Sequence, residues 1–279
     1  MKNLTKKFDK ELVKFASYIA DKKNFAFTRF SDGELFVLQN KKVVLADNYF
    51  ITGDIQSTGK YTVEEQKEFL PEQHQSFRQL LIDTLLYNDD TFYKGICCRC
   101  CVGRDNFIWQ LRTMYSTKED IQKAAYAEFD NLTWSNLFLN ANYKYYIENV
   151  VPLFSNFDVY IIVNELADLS GLPFFNNIKK VFRVGKNCMI NNIDLVDTIP
   201  NYIKQHNINN SLFLFSAASL SNVITHACHK VNKNNIYLDI GSSLNPYMKG
   251  MDGWRYSRDY LTNYWENKNN DIGERVCIW

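Results

Sequence analysis

The sequence has no long apolar run, no excess of charge of either sign and no export signal, and each absence excludes a class of protein. Its hydrophobic stretches, such as Tyr160-Ile161-Ile162-Val163, are far too short to span a bilayer. The opening segment Met1-Lys2-Asn3-Leu4-Thr5-Lys6-Lys7 lacks the apolar core of a secretory signal, so a cytoplasmic location is the expectation. Thirty-two basic residues face 31 acidic ones, a net charge of +1. No basic stripe of the kind that tracks a nucleic-acid backbone is present, so nucleic acid is not expected as a partner. Internal repeats and low-complexity linkers are also missing. What is present is a globular composition, 46% hydrophobic and 15% aromatic over 279 residues. That is enough to bury a full core, and it fits one domain over 1–279.

There are seven cysteines, an odd number, which without an export signal argues for reduced thiols. Four fall in Cys97-Cys98-Arg99-Cys100-Cys101, which holds two overlapping C-x-x-C pairs. A structural zinc site needs a second, separated pair, but Cys188, Cys228 and Cys277 are solitary. Vicinal cysteines on a strand also point to opposite faces. The cluster therefore reads as small buried hydrophobes near a strand end, with metal capture and redox chemistry as the alternatives.

Periodicity sets out an alternation of strands and helices. Residues 6–22 carry Phe8, Leu12, Phe15, Ala16 and Ile19 at helical spacing. Phe25–Thr28 and 43–46 read as short strands, 47–60 as a polar loop with two glycines, and 62–87 as a helix opened by Thr62. Tyr93–Cys98 reads as a buried strand, and 105–153 as mostly helical, with breaks near Ser116 and Asn131. In the last third, Val159–Val163, Leu212–Phe215 and Ile236–Ile240 are strand-length apolar runs. Helical faces lie between them: Leu195, Val196, Ile199, Tyr202 and Ile203, then Leu220, Val223, Ile224, Ala227, Cys228 and Val231. Strand, helix, strand, helix, strand predicts an α/β fold with a mostly parallel sheet and ligands beyond the carboxyl ends of the strands. Arg29, Cys98, Asn164-Glu165, Ser216 and Asp239 stand at those ends.

The most specific segment is Thr28-Arg29-Phe30-Ser31-Asp32-Gly33-Glu34-Leu35, directly after the first strand. Asp32 and Glu34 are two positions apart with a permissive glycine between them, so their carboxylates can converge at a strand-to-helix turn. Two hard oxygen donors on a small arc suit Mn²⁺ or Mg²⁺, which need few protein ligands and leave positions open for phosphate oxygens. Arg29 adds a planar fork for an anionic group. The same residues equally suit a helix start, with Asp32 as N-cap and Glu34 as a first-turn acid.

Arg29-Phe30-Ser31-Asp32-Gly33-Glu34 resembles the R-[FY]-G-D-G-E segment of the GT-D type glycosyltransferases, with Ser31 in place of the usual glycine. These bacterial and phage sugar-transfer domains carry a D-x-E metal motif. The likeness continues in outline through Trp134-Ser135-Asn136-Leu137-Phe138, Phe215-Ser216-Ala217-Ala218-Ser219 and Leu238-Asp239-Ile240-Gly241-Ser242, and many members carry a glycine within the 216–218 stretch. The resemblance implies a Rossmann-like fold, here with an added helical region over about 100–153, and transfer of a sugar from a nucleotide sugar, expected to be a UDP-sugar, to a glycan acceptor hydroxyl. It implies Mn²⁺ or Mg²⁺ on Asp32 and Glu34, with Arg29, Ser31, Gly33, Ser216, Ser219 and Ser242 around the donor.

Other constellations have two readings each. Ser216-Ala217-Ala218-Ser219 joins a strand to a helix, so its small residues and the helix N-terminus suit a phosphate, while Ser219 alone suits a cap. Asp239 ends a strand before Gly241; it would close the site on a ribose, an acceptor hydroxyl or a metal-bound water, or form an Asx-turn. Asp239-Ile240-Gly241 also looks like the first motif of S-adenosylmethionine methyltransferases, although only 40 residues follow Asp239. Glu165 is a candidate general base or a solvated loop acid. His226 and His229, at i, i+3 on a helix, could suit a metal, but they share a face opposite the apolar one and are expected to face solvent. The aromatic tail, Trp254, Tyr256, Tyr260, Tyr264 and Trp265 with Arg255 and Arg258, suits a sugar, a base and a diphosphate, or a core-sealing helix. Used alone, it would make the chain a non-catalytic carbohydrate- or nucleotide-binding module.

Overall fold

A computed structural model describes residues 2–58, 65–126, 128–139 and 142–250. The aromatic tail lies outside the described residues. The first helix, α1 (Lys2–Ala20), leads into β1 (Phe25–Arg29) and α2 (Asp32–Leu38). Four short strands follow, β2 (Val43–Ala46), β3 (Tyr49–Thr52), β4 (Ile55–Thr58) and β5 (Lys67–Phe69), then α3 (Gln75–Leu86) and β6 (Phe92–Ile96). Next come α4 (Arg99–Met114), α5 (Lys118–Ala125), β7 (Leu132–Trp134) and a helical stretch that opens with α6 (Tyr143–Tyr145). The last part contains β8 (Val159–Asn164), β9 (Ile178–Val184), α7 (Cys188–Asn191), α8 (Leu195–Gln205), β10 (Leu212–Phe215), α9 (Leu220–Val231) and β11 (Ile236–Asp239).

Seven strands form one sheet in the order β7-β6-β1-β11-β10-β8-β9, and every neighbouring pair is parallel. The fold is α/β and Rossmann-like. Strands covered on both faces need side chains that are apolar in both directions, which explains the unbroken burial of Leu212-Phe213-Leu214-Phe215. Alternate residues feed two cores. Phe25 and Phe27 pack with Phe15 of α1 and Tyr146 on one face. Ala26 packs with Phe77 of α3, Ile199 of α8 and Val223 of α9 on the other. From β1 the chain runs outward to β6 and β7; its second half fills the other side and returns to β11 beside β1. The strand order reverses between β1 and β11, which is where doubly wound sheets open a ligand crevice.

Several expectations are corrected here. The polar stretch 47–60 is largely two hairpins rather than a loop: β2, β3 and β4 pair antiparallel, with β5 on the other edge of this small sheet. Its turns are the polar pairs Asp47-Asn48 and Gly53-Asp54, the latter with Gly53 at φ +61°. The helix expected over 62–87 begins only at Gln75, because β5 and Pro71 precede it. The helical region expected over about 100–153 contains β7, an edge strand of the main sheet, and β9 was not foreseen at all. Its charged pattern, Ile178-Lys179-Lys180-Val181, is that of an edge strand with exposed lysines.

His226 and His229 do not face solvent. Helix α9 lies on β1 and β11 and is flanked by α3 and α8, so its polar side is also covered. His229 is fully buried, with Tyr87 Oη at 3.3 Å from Nδ1 and Thr91 Oγ1 at 3.0 Å from Nε2. His226 is half-buried, with Nδ1 3.2 Å from Thr84 Oγ1. Burial holds both imidazoles down to about 4. Asp89 accepts from Lys233 and Thr91, and these bonds outweigh its burial and hold its carboxyl below the usual carboxylate range. Lys94 on β6 is buried beside them; its ammonium donates to Leu85 O at 3.1 Å and Tyr87 O at 3.0 Å and so caps the end of α3. Burial lowers Lys94 to about 8.

Two stability predictions follow from these contacts. Gly95 on β6 has no room for a methyl group, since a Cβ would lie 2.8 Å from Trp134 O and 3.0 Å from the Phe27 ring. Gly95→Ala should lower unfolding free energy by about 1–3 kcal/mol in urea titrations. The buried histidines set an acid limit. The unfolded chain binds their protons below about pH 6.5 while the native state refuses them down to about 4, so their contribution is lost as pH falls through that window. His229→Gln should therefore flatten the pH dependence of unfolding between these values, whatever it does to stability at pH 7.

Candidate functional site

Loops from four strands meet at the carboxyl edge of β1 and β11, where a parallel sheet of this order places its ligand crevice. Parallel pairing of Phe27 with Leu238 brings Arg29 and Asp239 to the same edge. Asp239 is buried, and both of its oxygens are engaged: Oδ2 accepts from the Arg29 backbone N–H at 3.1 Å and Oδ1 from the Gly241 N–H at 3.1 Å. The Arg29 guanidinium stands beside it, Nε 3.5 Å from Oδ1. Burial, with help from the nearby Glu34 charge, pushes the Asp239 carboxyl up to about 6 despite the arginine and the backbone donors. The Asx-turn at Gly241 is thus present, and Asp239 is turned inward onto Arg29 rather than outward as a wall of the crevice.

Arg29 is fixed from several sides. Its Nη1 donates to Ser135 O at 3.3 Å, just past β7. Its own carbonyl accepts from Asn222 Nδ2 on α9 at 2.7 Å. Gly241 has φ +50°, and a Cβ there would fall 1.8 Å from Arg29 Nη2, so the glycine makes room for the guanidinium. Below, Tyr146 is wholly buried and hydrogen-bonded to Ser243 Oγ at 3.1 Å. Burial raises the Tyr146 phenol above its usual range.

The D-x-E segment forms the other wall. Ser31, not Asp32, is the N-cap of α2, so Asp32 and Gly33 open the first turn and Glu34 is the third helical residue. Asp32 is exposed at the mouth, and Glu34 is buried. Glu34 Oε2 accepts from the Ser31 N–H at 2.8 Å, the reach-back of a capping box. Glu34 Oε1 accepts from Ser219 Oγ at 2.5 Å. Ser219 therefore spends its hydroxyl on Glu34 and makes no side-chain cap for α9. The first turns of α2 and α9 are tied together across the crevice.

Cys97 lies beneath this wall. Its Sγ donates to Phe30 O at 3.4 Å and its carbonyl accepts from Gln110 Nε2 at 2.6 Å. Burial, then the charges of Asp32 and Glu34, push its thiol well above the usual range, so it is inert. Ser216 ends β10 beside Asp239, half-buried, and Ala218 in the same loop adopts φ +46°, a conformation usually left to glycine. Ser242 follows Gly241, also half-buried.

Glu165 is not part of this group. It is exposed after β8, two strands from β11, with its carboxylate against Gly185. At strand spacing that is about 10 Å along the same edge. The sequence reading missed Asn222, Gln110, Tyr146 and the Ser135 carbonyl. None carries a local signal, because an amide or tyrosine in a helix becomes informative only when the strand it touches is known.

Among the described residues no group of three or more His, Cys, Asp and Glu side chains could hold a metal ion. The donor set at the crevice is instead two carboxylates, Asp32 open to solvent and Glu34 with one lone pair left on each oxygen. As the first and third residues of α2 the two side chains leave the helix on different sides, so a divalent cation shared between them would take most of its shell from water and substrate oxygens.

No protein-family model and no curated protein matches the chain. Among solved structures it is similar to a selenomethionine-substituted domain of unknown function 1792, at 15% identity and TM-score 0.48, covering 87% of this chain and 84% of that one. It is similar at 15% identity and TM-score 0.48 to a structure described as domain 1792 with a distinct glycosyltransferase fold, covering 85% and 79%. A third, described as a new glycosyltransferase from Streptococcus sanguinis, shares 16% identity at TM-score 0.48 over 85% and 81%. Likeness at this level assigns neither family nor activity to the chain.

Proposed function

We propose that the chain is a glycosyltransferase that takes a nucleotide sugar, with a UDP-sugar as donor, and passes the sugar to a hydroxyl of a glycan acceptor. One observation carries the reading. At the strand-order reversal of a parallel sheet, Arg29 is paired with Asp239 and Glu34 ties the first turn of α2 to Ser219, with Asp32 exposed beside it in sequence, and the R-F-S-D-G-E segment supplies the arginine and both acids. The donor diphosphate would lie across the N-terminus of α2, with Ser31 and Gly33 lining its approach and Ser216, Ser219 and Ser242 on the opposite loops.

Asp32 and Glu34 would hold Mn²⁺ or Mg²⁺ against the diphosphate. The cation supplies Lewis acidity at the leaving phosphate. Arg29 would offset the charge that develops as the glycosidic bond to phosphate breaks, in a pocket that is already organised before substrate arrives. Asp239 positions Arg29: its two oxygens hold the backbone and its charge orients the guanidinium. The acceptor proton needs a carboxylate open to solvent, and exposure at the same edge supports Glu165 in that role.

The methyltransferase alternative needs the strand-end carboxylate to receive ribose hydroxyls. Both Asp239 oxygens are taken by backbone N–H groups, which counts against it. The binding-module alternative rests on the aromatic tail and would tolerate loss of Asp32.

The decisive experiment is calorimetric titration with UDP, with and without Mn²⁺. Binding is expected with the cation and to fall by at least about tenfold in chelator, as the diphosphate loses its counter-charge. Equal affinity in both would remove the metal from the site. Glu34→Gln keeps the shape of the side chain but only one of its two acceptor roles. We expect a stability loss of about 1 kcal/mol from the weakened helix start, together with a fall in transfer rate of about a hundredfold or more. Wild-type turnover from this variant would show that Glu34 serves only the helix.

A further inference from the structure

We propose that Cys98 and Cys101 form a reversible dithiol–disulfide couple whose oxidation weakens ligand binding in the neighbouring crevice. Cys98 is the N-cap of α4 and Cys101 lies one turn on, with Sγ atoms 3.3 Å apart; neither is in a disulfide. A bond of about 2.05 Å needs an approach of only about 1.2 Å. The fold provides for that movement. Gly103 interrupts α4 at φ +75°, ψ 169°, and a Cβ there would meet nothing within 4 Å, so the turn carrying Cys101 is hinged on open space.

The two thiols are unequal in the way a redox pair requires. Cys101 is exposed, so a small-molecule disulfide can reach it. Cys98 is buried and serves as the resolving thiol. The Cys101 thiolate attacks one sulfur of a small-molecule disulfide, forming a mixed disulfide and releasing one thiolate. Cys98 loses its proton to solvent and attacks the Cys101 sulfur, closing the protein disulfide and releasing the second thiolate. Two protein thiols are oxidised and one external disulfide is reduced. Cys97 and Cys228 are buried and Cys188 is half-buried, all three with raised thiol pKa values, and they stand outside this chemistry.

The couple is joined to the crevice through one residue. Cys98 directly follows Cys97, whose Sγ holds Phe30 O, and Ile96 O accepts from the Ser135 N–H at 2.9 Å while Ser135 O accepts from Arg29. Closing the bond through the Cys101 turn still fixes the direction of the Cys98 side chain, and any strain on Cys98 passes to the neighbouring Cys97 and so to the backbone that seats Phe30 and Arg29. The ligand half of the proposal rests on the nucleotide reading above; the disulfide half does not.

The test oxidises the whole chain with oxidised glutathione, maps the disulfides by mass spectrometry, and measures melting temperature and UDP–Mn²⁺ affinity before and after dithiothreitol. We expect a Cys98–Cys101 cross-link with the loss of two hydrogens, a shifted melting temperature, and affinity lowered by about fivefold and restored by reductant. Cys101→Ser should keep the reduced affinity and lose the response. A lasting glutathione adduct on Cys101, or cross-links elsewhere, would overturn the couple. A clean Cys98–Cys101 bond with unchanged affinity would overturn its hold on the crevice. If reduced protein binds no nucleotide, the functional reading fails, while mapping and melting still decide the couple.

Discussion

The buried pairing of Arg29 with Asp239 is the constraint on which the rest of the crevice depends. The two residues are 210 positions apart, and parallel strands bring them to one edge. A charge taken out of water must be met by an opposite charge and by hydrogen bonds, and removing one partner of such a pair costs on the order of 3–5 kcal/mol. The surroundings answer that demand. The Gly241 N–H serves the carboxylate, Ser135 O serves the guanidinium, Asn222 holds the arginine carbonyl, and Gly241 forgoes a side chain to leave space. Loops after β1, β7 and β11 and the first turn of α9 are thereby locked to each other. The Glu34–Ser219 bond then closes α2 onto α9, and the D-x-E turn inherits its position from this framework.

The opposite edge of the sheet works differently. There Lys94 caps α3, while His229, Tyr87, Thr91 and Asp89 satisfy one another under the end of α9. These groups have their partners within the fold and hold the helices to the sheet. At the carboxyl edge, by contrast, Asp32 is exposed and the Arg29 side chain is only partly buried. Incomplete pairing at one end of a well-packed sheet is what a binding crevice requires, since a ligand can add only the interactions that the protein has left open.

Legibility in the sequence followed burial. Strands buried on both faces, such as 159–163 and 212–215, read directly because nothing but continuous apolar side chains fits there. The hairpins in 47–60 did not, because the small sheet is half exposed: the edge strand Ile55–Thr58 has no buried residue to set an alternation. Strand Ile178–Val184 was hidden by its lysines for the same reason. The helix Leu220–Val231 was recognised correctly, yet its histidines were misplaced, since periodicity reports one apolar face and cannot reveal that α3 and the 87–91 segment cover the second.

The sequence by itself determined the parallel α/β layout, a helix start around Asp32 and Glu34 (capped, in the structure, by Ser31) with the arginine before it, and the strand ends at which a ligand can lie. All are local consequences of side-chain period, capping chemistry and the geometry of strand-to-helix turns. Tertiary structure alone decided what those residues face. It turned Asp239 inward onto Arg29, gave the Ser219 hydroxyl to Glu34 instead of to its own helix, and set Glu165 two strands away. It also recruited Asn222 and the Ser135 carbonyl. Such pairings join segments remote in the chain, and they are selected by the cost of burying unpaired polar groups, which only the packed structure imposes.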